Sequence, residues 1–186
     1  MSLKNIYLIV GESGSGKTTV ANKLEEDYGL KQVWSYTTRP QRYEGETGHI
    51  FVTDEEFDAL GPMCAYTEYN GYRYGVTDKI VDESDIYVID PDGVKYMETK
   101  YQGRKSIVPI RLLLNDRDRI GRMLDRGDEP WDIQRRLVTD RKKFGMVELT
   151  INYFLKVPNK NLDKTVECIA ALIKCCEPEW KERTIK

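Results

Sequence analysis

The sequence predicts an α/β fold built on a parallel core sheet, and three observations predict it. Asn5–Val10 (Asn-Ile-Tyr-Leu-Ile-Val) is a short apolar run rich in β-branched residues, stopped by Gly11. A glycine-rich turn follows, and then Lys17–Tyr28, where Val20, Leu24 and Tyr28 recur at helical spacing before Gly29. Further apolar runs return at residues 86–89, ending at Asp90, and 106–114. Continuous rather than alternating hydrophobicity marks strands covered on both faces. Strand, glycine turn and helix form the opening unit of such a domain.

The remaining elements follow in chain order. Residues 32–78 are rich in Tyr, Thr and Gly in short alternating segments, which predicts a small mixed β insertion. Residues 116–144 read as two charged helical segments around Gly127-Asp128-Glu129-Pro130, with Pro130 suited to a helix's first turn. A further strand is expected at 153–157, ended by Pro158. A last helix, Leu162–Cys176, carries Leu162, Val166, Ile169 and Ile173 on one stripe.

At 186 residues the chain fits one globular domain, and 40% hydrophobic residues supply a core. A net charge of -2 argues against nonspecific nucleic-acid binding. Cys64, Cys168, Cys175 and Cys176 form no Cys-x-x-Cys pair, and His49 is the single histidine, so a zinc cluster is not expected. No stretch approaches a membrane span and no cleavage site follows Met1. The expectation is a cytoplasmic, reducing compartment, with no membrane partner. Oligomeric state is left open.

The chemistry begins at Gly11-Glu12-Ser13-Gly14-Ser15-Gly16-Lys17-Thr18, which meets the phosphate-loop pattern G-x-x-x-x-G-K-[ST] at every position. Glycines let the backbone turn its N–H groups inward on phosphate oxygens, where a Cβ would obstruct. Lys17 can reach the β- and γ-phosphates of ATP, the Thr18 hydroxyl can ligate Mg²⁺, and the helix beginning there adds its dipole. Asp90, at the end of a buried strand, is either a second Mg²⁺-holding carboxylate or the opening of the turn Asp90-Pro91-Asp92-Gly93, and the two roles are compatible.

Ser35-Tyr36-Thr37-Thr38-Arg39-Pro40-Gln41-Arg42 packs hydroxyls and two arginines together, a composition suited to a phosphate cradle. Together with the phosphate loop it resembles the guanylate kinase family's S-x-T-T-R-x-x-R. Gly45-Glu46-Thr47-Gly48, Phe51-Val52-Thr53-Asp54-Glu55-Glu56-Phe57, Tyr72-Arg73-Tyr74-Gly75-Val76-Thr77 and Asp90-Pro91-Asp92-Gly93-Val94 resemble later elements of that family. So do Arg122-Met123-Leu124-Asp125-Arg126-Gly127 and Arg135-Arg136-Leu137. The resemblance runs from about Ile6 to Leu162.

The resemblance implies a P-loop three-layer sandwich in three parts. These are a parallel core (about 1–31, 79–114 and 145–186), a nucleoside-monophosphate-binding region (32–78) and a helical lid (115–144). It implies transfer of the ATP γ-phosphoryl to GMP or dGMP. Ser35, Arg39, Arg42 and Tyr74 would hold the acceptor's phosphate. Asp90 would face the acceptor base or the metal. Arg122, Arg126 and Arg136 would come from the lid onto the transferring phosphates. Arg119, Arg122 and Arg126, three and four apart, also share a helix face by spacing, either to close on phosphate or as a solvated charged face with the interleaved aspartates.

Two positions depart from the pattern. Where the family reads guanine with a glutamate and a Ser or Thr hydroxyl, this chain has Ala65 and Val76, with Glu68 and Thr77 nearby as substitutes after a shift in register. His49 falls where the family has a phosphate-binding tyrosine, as a replacement or as an incidental loop residue. Two alternatives stand beside the main reading: the same transfer to another nucleotide or a sugar phosphate, and a non-catalytic binding module, which the intact phosphate loop opposes.

Overall fold

The computed structural model describes residues 3–41, 44–46, 48–69, 71–147, 151–153 and 155–180. The chain runs β1 (Asn5–Val10), α1 (Lys17–Tyr28), β2 (Ser35–Thr37), β3 (His49–Phe51) and α2 (Asp54–Ala59). It continues through β4 (Ala65–Tyr69), β5 (Tyr72–Val76), α3 (Asp78–Glu83), β6 (Ile86–Val88) and α4 (Pro91–Lys100). It ends with β7 (Ser106–Leu113), α5 (Asp116–Asp125), α6 (Pro130–Val147), β8 (Leu155–Pro158) and α7 (Leu162–Cys176).

The core sheet has the order β6-β1-β7-β8, and every pairing in it is parallel. Ile6 through Val10 are fully buried because both faces of β1 are covered. The two-residue period of a strand divides them. Tyr7 and Ile9 pack with Val20 and Leu24 of α1 and Val166, Ile169 and Ile173 of α7. Ile6, Leu8 and Val10 pack the other way, with Val94 and Met97 of α4, Phe144 of α6, and Ala65 and Val76 of the second sheet. Each such side chain contributes about 1.5–3 kcal/mol by leaving water. The result is three layers with β1 at their centre, which fixes the end of β1 and the turn after it.

The second sheet has the order β3-β2-β5-β4, parallel between β2 and β3 and antiparallel elsewhere, so it is the mixed sheet the sequence suggests. Sequence and structure part over three short helices. α2 has a full capping box, with Thr53 accepting from the Glu56 N–H and Glu56 accepting from the Thr53 N–H. α3 follows β5 directly. The stretch read as the turn Asp90-Pro91-Asp92-Gly93 is the first turn of α4: Asp90 caps it by accepting from the Gly93 N–H, and Pro91 takes the first helical position. Gly93 weakens the helical pattern, but burial of Val94 and Met97 overrides propensity. β8 keeps Pro158 inside the strand because β8 lies at the sheet edge, where a missing N–H costs no ladder bond.

Candidate active site

The phosphate loop spans the end of β1 and the start of α1. Gly14 and Gly16 both have left-handed backbone, φ 75° and 88°. A Cβ on Gly16 would stand 2.6 Å from Asn159 Nδ2 and 3.0 Å from Arg122 Nη1, so space as well as conformation requires glycine there. Gly16 caps α1 with no side-chain acceptor, and the first turn has no acidic residue. The N–H groups of that turn therefore lack a competing side chain, the arrangement an anion needs.

The loop is held from outside. Arg111 of β7 pairs with Glu12 at 2.6 Å, and its guanidinium lies over the rings of Phe144 (4.8 Å) and Tyr153 (5.6 Å). Ser13 is bound by Arg119 and Asp140. The Ser15 carbonyl accepts from Asn159 Nδ2 at 2.7 Å, and Arg122 donates to the Asn159 carbonyl at 2.7 Å. The Lys17 ammonium donates back to the carbonyls of Gly11 (2.7 Å) and Glu12 (3.1 Å). Burial pushes the Lys17 pKa down, and the charges of Asp140 and Glu12 oppose it.

A cleft of about 460 Å³ opens on this loop, lined by Gly14, Gly16, Lys17, Thr18, Arg122, Arg126 and Asn159 among others. Arg122 and Arg126 therefore reach it together. Arg126 lies one residue beyond α5 and is held by Asp128 at 2.5 and 2.8 Å. Arg136 of α6 is paired with Asp132 at 2.7 Å and is not part of the lining. The helix face expected for Arg119, Arg122 and Arg126 does not form as one unit. Arg119 turns into the protein, 3% exposed, while Arg126 falls past the helix end.

A second cavity, about 560 Å³, lies between α1 and the mixed sheet and is lined by Thr18, Asn22, Trp34, Ser35, Arg39, Glu46 and His49 among others. Thr18 thus lines both. Here Ser35 Oγ meets His49 Nδ1 at 2.8 Å, and the His49 ring sits edge-on to Tyr74 at 5.6 Å. Arg39 is gripped by Glu46 through two hydrogen bonds, 2.7 and 3.3 Å, with both side chains buried. Arg42 lies outside the described residues.

A third cavity, about 360 Å³, adjoins through Ser35 and Tyr87. Its walls include Ala65, Tyr66, Thr67, Tyr74, Asp90, Asp92, Tyr96 and Lys143. Lys143 bridges Asp90 (2.8 Å) and Asp92 (2.9 Å) across its rim, so Asp90 stands on this side and not in the loop cleft. Ala65 and Val76 face each other in register on β4 and β5, with no slip. Glu68 accepts from the Tyr66 hydroxyl at 2.5 Å, Thr77 precedes α3, and neither lines the cavity. Tyr66, Thr67, Tyr74, Tyr87 and Tyr96 are part of the lining instead.

Sequence reasoning missed Arg111, Asp140, Lys143 and Asn159. Arg111 carries a legible signal, since a charge inside an apolar strand run needs a buried partner. Among the described residues no group of three or more His, Cys, Asp or Glu could hold a metal. No helix among them is long and apolar enough to cross a membrane.

No family model matches the chain. It is 30% identical to the guanylate kinase of Mycoplasmoides gallisepticum over 184 residues, covering 90% of this chain and 91% of that protein. It is also 30% identical to the guanylate kinase of Neisseria gonorrhoeae over 187 residues, covering 92% and 88%. The crystal structure of guanylate kinase from Anaplasma phagocytophilum superposes with a TM-score of 0.63 at 26% identity, over 95% of this chain and 87% of that one. The phosphate loop, the hydroxyl-and-arginine cradle and these likenesses agree: the chain belongs to the guanylate kinase family.

Proposed function

We propose that this protein is a nucleoside monophosphate kinase that transfers the γ-phosphoryl of ATP to GMP or dGMP, giving GDP or dGDP and ADP. The observation that carries this reading is Thr18, which floors both the loop cleft and the cavity against the mixed sheet. Donor and acceptor phosphates can therefore meet across one hydroxyl. An oxygen of the acceptor phosphate attacks the γ-phosphorus while the bond to the β,γ-bridging oxygen breaks, and ADP leaves. Such a transfer needs alignment and charge more than covalent help.

Loop amides and Lys17 hold the β- and γ-phosphates, and Arg122 and Arg126 screen the transferring charge from the other wall. Ser35, Arg39, Arg42, Tyr74 and His49 hold the acceptor phosphate. His49 is already joined to Ser35, which supports it as the replacement for a tyrosine. Mg²⁺ would neutralise the phosphates. Among the described residues no cluster of three or more His, Cys, Asp or Glu stands ready for the ion, so it would arrive with the nucleotide, with the exposed Thr18 hydroxyl as one ligand. Arg126 stands in the cleft wall, paired with Asp128, whereas Arg136 is paired with Asp132 outside that wall, so the arrival of Arg136 at the phosphates belongs to closure of 115–144 as a lid. A cytoplasmic location suits a consumer of ATP and nucleotides.

A second reading keeps the transfer and changes the acceptor, favoured by Ala65 and Val76, neither of which can hydrogen-bond a base edge. ADP release across GMP, dGMP, IMP, AMP, CMP, UMP and ribose phosphates separates the two. GMP turnover no faster than the rest would overturn the guanine assignment.

A further inference from the structure

Two helices following β7 grip a single residue of the phosphate loop. The Ser13 N–H donates to Asp140 Oδ2 at 2.8 Å, and the Ser13 hydroxyl donates to Asp140 Oδ1 at 3.3 Å. The Ser13 carbonyl accepts from Arg119 Nε at 2.8 Å. Arg119 in turn pairs with Asp140 and with Asp116, the latter at 2.9 Å. Arg119 is 3% exposed and Asp140 8%, so this is a buried charge cluster. α5 also rests directly on the next residue: a Cβ on Gly14 would lie 2.7 Å from the Arg119 carbonyl oxygen.

Burying charge is costly, and a buried ion pair can often be replaced by apolar side chains with no loss of stability. What apolar side chains cannot do is hold one residue by both its N–H and its carbonyl. We propose that Arg119 and Asp140 are positioning residues of the donor site, fixing Ser13 so that Gly14 to Lys17 present their N–H groups to the triphosphate before ATP arrives. This rests on reading the loop as the ATP site, but not on the identity of the acceptor. The same Asp140 charge also supports the Lys17 ammonium against burial. Preorganisation of this kind shows as affinity, because the loop then loses little freedom on binding.

The test is titration calorimetry of MgATP on the full chain, with melting temperature measured in parallel. Asp140→Ala should weaken ATP about tenfold or more, the equivalent of a hydrogen bond to a charged group. Asp140→Asn loses the ion pair but keeps an oxygen for the Ser13 N–H. It should melt as early as the alanine variant yet bind ATP within about threefold of wild type. If both variants lose affinity in step with melting temperature, or neither loses any, the proposal falls. Should Asp140→Ala fail to fold, Arg119→Lys keeps a cation beside Asp140 and removes the donor to the Ser13 carbonyl. It should weaken ATP about three- to tenfold, and unchanged affinity overturns the proposal. Because binding is read and not turnover, a wild type that binds ATP but ignores GMP would sink the acceptor assignment alone. Full turnover with unchanged variant affinities would sink the clamp alone.

Discussion

The cleft proposed for the donor and the cavities proposed for the acceptor meet at Thr18 yet are built from different material. On the donor side the ligand-facing groups are largely main chain, aimed by two left-handed glycines and fastened by Arg111, Arg119, Asp140 and Asn159. On the acceptor side they are side chains standing on a small sheet: Ser35, Arg39, His49 and a group of tyrosines. Backbone geometry can be specified by one short pattern, whereas side-chain recognition can change a residue at a time while the sheet stays in register. Ala65 and Val76 are that kind of change. On the proposed reading the loop carries the chemistry of transfer, and the choice of acceptor is left to the other wall.

The sharpest way to break this division is Lys17→Ala. Removing a preorganised cation of this type costs roughly 10²–10³ in kcat, and here folding should be intact by circular dichroism. Turnover at the wild-type rate would mean the loop is not the donor site.

Arg39→Ala tests the other wall. It should raise the acceptor KM strongly and leave the ATP KM close to wild type. It also breaks the buried Arg39–Glu46 pair, a change that costs about 3–5 kcal/mol, so a lowered melting temperature is expected. Adding Glu46→Gln should restore much of the stability and none of the acceptor affinity. A parallel loss of ATP affinity would place Arg39 in the wrong pocket.

Ala65→Glu with Val76→Thr sharpens the comparison. A carboxylate there would face the N1–H and amino donors of guanine, which hypoxanthine only half matches. The ratio of kcat/KM for GMP over IMP should rise about tenfold or more, the scale of one good polar contact. Overpacking at these buried positions costs about 1–3 kcal/mol. An unchanged ratio would show that the base is read elsewhere, with Thr67, Tyr87 and Tyr96 next to test.

The smallest effect is on pH. Asp82 is subject to burial, which raises its pKa, but hydrogen bonds from Tyr101 and Arg104 prevail and hold it below the ordinary value. Arg126 holds Asp128 low, and Arg135 and Arg136 hold Asp132 low. A depressed carboxylate contributes stability above its unfolded pKa, near 4, and loses it as pH falls through the folded value. The melting temperature should be flat from pH 7 to 5 and fall below about pH 4, with Asp132→Asn flattening part of that fall.

Most of the core was legible in the sequence, because continuous apolar runs and 3.6-residue stripes are local signals. Lys17–Tyr28 and Leu162–Cys176 appear with the ends their patterns suggest. α2 and α4 were not read, although Thr53 with Glu56 and Asp90 with Pro91 are starting signals, because six to ten residues give periodicity little room. In the site, the loop announced itself by spacing alone. Asp140 and Asn159 could not, since their partner is backbone brought near by the fold, and no pattern in sequence marks a carboxylate destined for a distant N–H. Spacing put Arg126 on one helix face with Arg119 and Arg122, but it falls past the end of α5 onto Asp128, and Arg136, implied by the resemblance alone, is paired with Asp132.

The strand order β6-β1-β7-β8 has a consequence for how the molecule is made. The phosphate loop is tethered to the first strand, yet Tyr7 finds its partner in Ile86 and Ile6 finds its partner in Ile107. Contacts so distant in sequence form late and slow the search for the native state. A growing chain will have synthesised the whole acceptor sheet before β1 can be enclosed. Nucleotide binding should therefore appear abruptly on a ribosome-bound chain, when β7 and the helices that grip Ser13 have emerged, and not gradually as the loop's own residues are added.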